Sequence, residues 1–285
     1  MRRARTNRVM MTRSRQVAFG GSAVTLTYDG PETAAILDFL FDQITPLDGL
    51  EPHIIYHLET VDDALRLSDE KTTLIQGSPA LVADSLLGQV CHQLADKSQG
   101  GLLFHAAGLS RQGKGIILPG TMGAGKTTLT AYLLTEGLDY LTDELVFITN
   151  ETMIVKGFAR PLNLKLPSRP VLKSRVDYVA QPEAIFSTVG IDLVPPHLFN
   201  PATTVSQPPS ALILFPHYQA GSQFLLQPLS KAQAGLALME CLVNARNLED
   251  HGFAAVSRLA RAVPAYKLYY SHFDQLEGLL DKLGL

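Results

Sequence analysis

Apolar and polar positions change their period several times along the chain, and each change marks an element. Val24-Thr25-Leu26-Thr27-Tyr28 alternates with period two and predicts a strand. Asp29-Gly30-Pro31 turns the chain, and over 32–44 Ala35, Ile36, Phe39 and Leu40 recur on one helical face. Short strands are predicted over 54–58, 64–67 and 72–75. A second helix follows over 79–95, opened by Ser78-Pro79, because proline suits the first helical position. Together these elements predict a small mixed α/β unit over 16–98.

Beyond it the pattern predicts a larger core over 99–285. Strands are expected over 101–109 and 115–119, and a helix over 127–134 with its apolar residues on one face, stopped by Gly137. The run 138–148 is strand-like but interrupted by Asp143 and Glu144, and 153–165 reads as extended. Pro167, Pro170, Pro182, Pro195 and Pro196 then break any long element, which predicts a loop-rich excursion over 167–209 that serves as a lid or substrate-facing wall. Strands follow over 210–215 and 223–226, joined by a turn containing Gly221. Helices are predicted over 231–243 and 248–262, a strand over 266–270 and a final helix over 274–283.

The stretch between the second core strand and its helix carries the chemistry. Gly120, Thr121, Met122, Gly123, Ala124, Gly125, Lys126 and Thr127 fit the phosphate-binding pattern G-x-x-x-x-G-K-[ST], and Thr128 continues it into the helix. Glycines let successive backbone N–H groups converge on one anion. Lys126 would reach the β- and γ-phosphates, the Thr127 hydroxyl would ligate Mg²⁺, and the helix opening at Gly125 would add its positive end. A tight glycine turn that binds nothing is the plain alternative, and the strand–loop–helix context speaks against it.

Other charged residues have two readings each. Adjacent carboxylates at Asp143 and Glu144 are costly to bury in apolar sequence unless a metal or a proton shares the site; alternatively both reach water at a strand end. Arg160 and Lys165 are either phosphate contacts or solvated charges at a sheet edge. His53, His57, His92, His197, His217, His251 and His272 have no partner visible in sequence.

Composition narrows the class of protein. Apolar residues make up 46% and charged residues 18%, which suits a globular chain, and no apolar run approaches the ~18 residues of a membrane span. A net charge of -3 gives no overall attraction to nucleic acid. Cys91 and Cys241 lie in apolar helical patterns whose spacing suits neither a disulfide nor a metal site, so both are expected in the core and a reducing cytoplasm is expected around them. Residues 1–15 carry Arg2, Arg3, Arg5, Arg8, Arg13 and Arg15 without an acid or a following apolar segment. This reads as a solvated tail or an arm for an acidic partner, and not as a secretory signal.

Residues 102–148 resemble the HPr kinase/phosphorylase family. The resemblance rests on Phe104-His105-Ala106, the glycine-rich loop, and Leu141-Thr142-Asp143-Glu144, with His105 fifteen residues before Gly120 and Asp143 seventeen after Lys126. It implies an α/β fold, a P-loop core with a mixed sheet similar to phosphoenolpyruvate carboxykinase, and an ATP- and Mg²⁺-dependent kinase acting on a serine hydroxyl of a protein or peptide. It also implies that Asp143 takes the hydroxyl proton, His105 supports that acid, Lys126 and Thr127 hold phosphate and magnesium, and Glu144 replaces a second aspartate. Arg160 is expected in the catalytic set on its own position, since its place after an extended segment suggests contact with the transferring phosphoryl group. The resembled family forms oligomers, so a homo-oligomer is expected. The loop ends Lys126-Thr127-Thr128 where the family has Lys-Ser and an acid, and the family's later Glu-Arg-Gly motif is replaced near Phe158-Ala159-Arg160-Pro161. Divergent members from peptide-modification clusters, including lasso peptide tailoring, fit the chain's length and its 160–165 segment better. Two other functions remain open on the residues: a nucleotide-binding module that regulates a partner, and a small-molecule hydroxyl kinase.

Overall fold

The computed structural model describes residues 12–44 and 49–285. The chain begins with a five-stranded sheet in sequence order: β1 (Arg13–Phe19), β2 (Ser22–Tyr28), β3 (Ile55–Val61), β4 (Ala64–Ser68) and β5 (Thr73–Gly77). Gly20 and Gly21 turn β1 into β2 with φ of 59° and 77°, the two positive values that a two-residue hairpin needs. The helix α1 (Gly30–Phe41) makes the crossover that lets β2 and β3 run parallel. The helix α2 (Pro79–Lys97) packs across β2, β4 and β5.

Strand β1 was not legible as one. Residues 13–15, expected in a basic tail, belong to it. The Arg15 guanidinium donates to the carbonyls of Leu37 and Phe41 at 3.3 and 2.6 Å and pairs with Asp38 at 3.0 Å, which ties β1 to the negative C-terminal end of α1. The remaining arginines of that expectation, Arg2, Arg3, Arg5 and Arg8, lie outside the described residues.

The second sheet is built from β6 (Gly101–Arg111), β7 (Lys114–Pro119), β8 (Asp139–Thr142), β9 (Leu145–Thr149) and β10 (Val155–Gly157), with the helix α3 (Lys126–Thr135) between β7 and β8. Three later strands complete it: β14 (Ser210–Tyr218), β15 (Leu225–Pro228) and β16 (Ala265–Tyr270). Its order is β10-β9-β6-β7-β14-β16-β15, with β8 also on β6. β7, β14 and β16 are parallel and the strands flanking them antiparallel, so the mixed sheet expected for the α/β class is present. β14 and β15 follow each other in sequence but do not pair; β16 lies between them.

The proline-rich excursion holds more structure than expected. Its strands β12 (Phe186–Ser187) and β13 (Ile191–Val194) join β11 (Leu162–Lys165), which lies in the stretch expected to be extended, in a three-stranded sheet, and the short helix α4 (Ser168–Leu172) follows β11. Asp192 organises it: buried, it accepts from Arg169 Nε and Nη2 at 2.7 and 2.6 Å, from Ser187 Oγ at 2.7 Å and from the Tyr178 hydroxyl at 3.2 Å. Further on, α5 (Lys231–Cys241) opens with a Ser230–Gln233 capping box. The helix expected over 248–262 is shorter, α6 (Phe253–Ala262), because Asp250, His251 and Gly252 take positive φ before it. The final helix also breaks, leaving α7 (Leu279–Lys282) after Gly278 at φ 67°.

At the junction expected at 98–99, Ser98 is buried and Gln99 is exposed. The Ser98 hydroxyl donates to the Gly20 carbonyl at 2.7 Å, and the Ser98 carbonyl accepts from Asn244 and Asn247 at 3.3 and 3.0 Å. Leu103, Leu145, Phe147, Phe158 and Leu193 of the larger part share one apolar cluster with both N-terminal helices. Among the described residues, no helix is long and apolar enough to cross a membrane.

Candidate active site

β7 ends at Pro119 and α3 begins seven residues later. Gly123 and Gly125 take φ of 86° and 90°. At Gly125 a side chain is excluded twice, by backbone conformation and by Tyr218 Cβ 3.0 Å and Tyr270 Oη 3.1 Å from where a Cβ would stand. Thr121, Met122 and Gly123 form the exposed crest of the loop, with Ala124 half-buried behind them. Lys126 is only 6% exposed. Its Nζ donates to the carbonyls of Gly120 and Thr121 at 2.8 and 3.1 Å, so the ammonium is held across the loop. Burial pushes its pKa down, against the pull of Glu144. Thr127 is half-buried in the first helical turn. The Thr128 hydroxyl, by contrast, meets Ser168 Oγ of α4 at 2.8 Å and is turned to packing. α3 is buried on most sides and not on one face, because β6, β11 and α4 all pack against it.

The register of β6 brings three separate sequence features to one level. Ala106 faces Pro119, the residue before the loop, and His105 faces Leu145, the residue after the two acids. β8 and β9 are successive parts of one strand on β6, with a register shift beside Gly108 that sets Leu141 out as a bulge. The Thr142 hydroxyl then accepts from the backbone N–H of Glu144 and Leu145 at 3.1 and 3.3 Å, and this local turn sends the two carboxylates in different directions.

Asp143 goes inward, its side chain fully buried. Oδ1 accepts from the Tyr140 hydroxyl at 3.2 Å and pairs with Arg160 Nη2 at 3.0 Å, and Oδ2 accepts from the Asn163 backbone N–H at 3.0 Å. Burial raises its carboxyl above the ordinary aspartate range, against the opposing pull of Arg160. Glu144 goes outward with 37% of its side chain exposed. Its Oε1 lies 3.5 Å from His105 Nε2 and its Oε2 accepts from Arg160 Nη2 at 3.0 Å. The side chain that His105 meets is therefore Glu144, not the expected Asp143. Burial, and then Lys126, push the His105 pKa below its ordinary 6.5, so the imidazole is neutral at pH 7.

Arg160 is a buried group, not a solvated charge at a sheet edge. Burial works against its charge and Asp143 overcomes it, holding the guanidinium pKa above the ordinary value. Its Nε is buried without a hydrogen-bond partner among the described residues. Lys165, expected beside it, is exposed at the end of β11 and near enough to Lys126 to press on its pKa.

His105, Glu144 and Arg160 open into a cavity of about 460 Å³ whose opposite wall is α2, with Asp84, Cys91 and His92. Asp84 accepts from Asn163 Nδ2 at 3.3 Å, and burial raises its pKa. Sequence reasoning missed Asp84, Tyr140 and Asn163 as parts of this site; no local signal singles them out. Cys91 and Cys241 are both free; Cys241 is buried as expected, whereas Cys91 is half-buried and lines the cavity, where burial pushes its thiol up to about 12.

The expected metal set was Thr127, Asp143 and Glu144. Among the described residues no group of three or more His, Cys, Asp or Glu side chains could hold an ion. Asp143 is fully buried on Tyr140, Arg160 and Asn163, whereas Glu144, though paired with Arg160 and close to His105, stays 37% exposed, so the Thr127 hydroxyl and Glu144 are the oxygen donors within reach of solvent. That sparse set fits magnesium, which keeps waters and leans on phosphate oxygens, better than a metal needing a full protein cage. No family model matches this chain, and no curated protein matches it.

Proposed function

We propose that this chain is an ATP-dependent kinase that phosphorylates a serine hydroxyl on a protein or peptide, with an HPr kinase-like core. The observation that carries the reading is the meeting, at one level of β6, of the glycine loop, His105 and the Asp143–Glu144 pair beside a cavity. A phosphate loop alone supports nucleotide binding. A proton-accepting pair that stands beside the loop and also lines an open cavity has, in addition, room for an acceptor.

In this reading Lys126 leaves the Gly120 and Thr121 carbonyls for the β- and γ-phosphates, and the loop N–H groups hold the rest of the chain of phosphates. Thr127 and Glu144 would hold magnesium, which would supply charge neutralisation at the transferring group. The acceptor hydroxyl enters from the cavity. As its oxygen bonds to the γ-phosphorus and the bond to the β-phosphate oxygen breaks, its proton passes to the Glu144–His105 pair. The proton is assigned to the pair because the two groups share one site. Asp143 is the anchor of Arg160, and Arg160 fixes Glu144 in turn. Phosphoryl transfer asks for this kind of positioning above all.

The test is transfer from labelled ATP to a library of serine peptides by the wild-type chain and by Glu144→Gln. A loss of about 10²–10⁴-fold with nucleotide binding retained is expected. Unchanged transfer would overturn the role of Glu144. Tight ATP binding with no transfer to any peptide or protein acceptor would overturn the kinase reading in favour of a regulatory nucleotide module.

A further inference from the structure

The sheet order separates the surroundings of the loop into two flanks. β7, which feeds the loop, lies between β6 and β14. On the β6 side stand His105 and Glu144. On the other side β14 runs parallel to β7, pairs Ile213 with Ile117, and continues five residues further to Tyr218, level with the loop. There the Tyr218 N–H donates to the Ala124 carbonyl at 3.3 Å, and Tyr218 Cβ limits the space beside Gly125. The next residue is fixed as well, since the Gln219 N–H donates to the Tyr270 carbonyl at 3.0 Å. The Tyr218 ring packs edge-on against Tyr270, ring centroids 5.7 Å apart and planes at 67°, yet the residue stays 48% exposed.

We infer that Tyr218 is the stacking platform for the nucleobase of the bound nucleotide. The inference rests on the kinase reading above for one point only: the γ-phosphate must face Glu144 and His105. The base end of the same molecule then leaves the loop on the β14 side, where a backbone-pinned aromatic ring lies open. An aromatic face held rigid on its edge by a second ring loses little freedom when a base settles on it, and stacking needs no particular hydrogen-bonding edge. Phosphate loops contact phosphates and not the base, so the platform must come from another element, and β14 supplies it.

Calorimetric titrations with Mg-ATP and with magnesium tripolyphosphate test this without any acceptor. The wild-type chain should bind ATP more tightly than tripolyphosphate. Tyr218→Ala and Tyr218→Leu should weaken ATP by about 5- to 150-fold, the range that loss of one base stack converts to. Tripolyphosphate affinity should change less than about twofold, and Tyr218→Phe should keep ATP affinity. Two variants are used because leucine retains bulk beside Gly125 if alanine loosens the loop. Equal losses for both ligands would make Tyr218 a buttress of the loop and overturn the inference. So would ATP affinity unchanged in both variants, or a wild-type chain that binds tripolyphosphate as well as ATP. If the wild-type chain binds neither ligand, the phosphate loop itself fails and the platform with it. If both bind as expected but no serine acceptor is found, the platform stands and the kinase reading alone falls.

Discussion

Replacing Arg160 with methionine would strand a charge. The Arg160 and Asp143 side chains are 3% and 0% exposed, and their ion pair spans 3.0 Å. Removing one partner of a buried pair costs about 3–5 kcal/mol, because the other charge is left in low dielectric. The same substitution removes the ion pair between Arg160 and the partly exposed Glu144, which adds under about 1 kcal/mol. Tyr140 and Asn163 still bond the Asp143 carboxylate, which holds the total in that range and not above it. At about 2–4 °C per kcal/mol for a chain of this size, the melting temperature should drop by roughly 6–20 °C.

The loss should depend on pH, and the sign follows from Asp143. Its folded pKa is already raised by burial while Arg160 pulls it down. Without Arg160 it rises further. An acid with a folded pKa above its unfolded value favours the fold below the unfolded pKa and loses that contribution as pH climbs towards the folded one. The deficit of Arg160→Met should therefore be largest near neutral pH and shrink as pH falls into the carboxylate range. Asp143→Asn in the same background should restore much of the stability, since a neutral amide can keep the shape without the charge. Urea midpoints across pH for the wild type, the single variant and the double variant would decide. A deficit that is flat with pH, or a double variant no better than the single, would refute the account of a buried compensated pair.

Lys126→Ala should abolish nucleotide binding and transfer while moving the melting temperature little, since among the described residues the ammonium bonds loop carbonyls alone; full ATP affinity in a folded variant would count against the loop assignment. His105→Ala should slow single-turnover transfer less than Glu144→Gln does, and the double variant should be little worse than Glu144→Gln, because groups acting as one unit are non-additive. Multiplicative losses would mean that His105 works apart from Glu144.

Where chemistry is local, the chain announces it. Strand, glycine turn and helix over 114–135 follow from an apolar run, two positions that only glycine takes comfortably and a periodic helix, all within some twenty residues. The helices α1 and α2 and the strands β2 to β5 were legible for the same reason. β1 was not: Arg13-Ser14-Arg15 looks like a solvated tail until its pairing with β2 and the carbonyl end of α1 is known. The proline-rich stretch hid a sheet whose organiser, Asp192, bonds Arg169 from twenty-three residues away. The two acids could be found from sequence but not told apart. Which of them is buried depends on the Thr142 turn and on Arg160, seventeen residues beyond Asp143, filling the space inside. That His105 meets Glu144, that α2 walls the cavity and that Tyr218 stands beside the loop are matters of strand register and sheet order. Periodicity and turn chemistry act over a few residues and survive in the sequence. Burial, partner choice and the charge state of a carboxylate are set by groups brought together from distant positions, and only the folded chain brings them together.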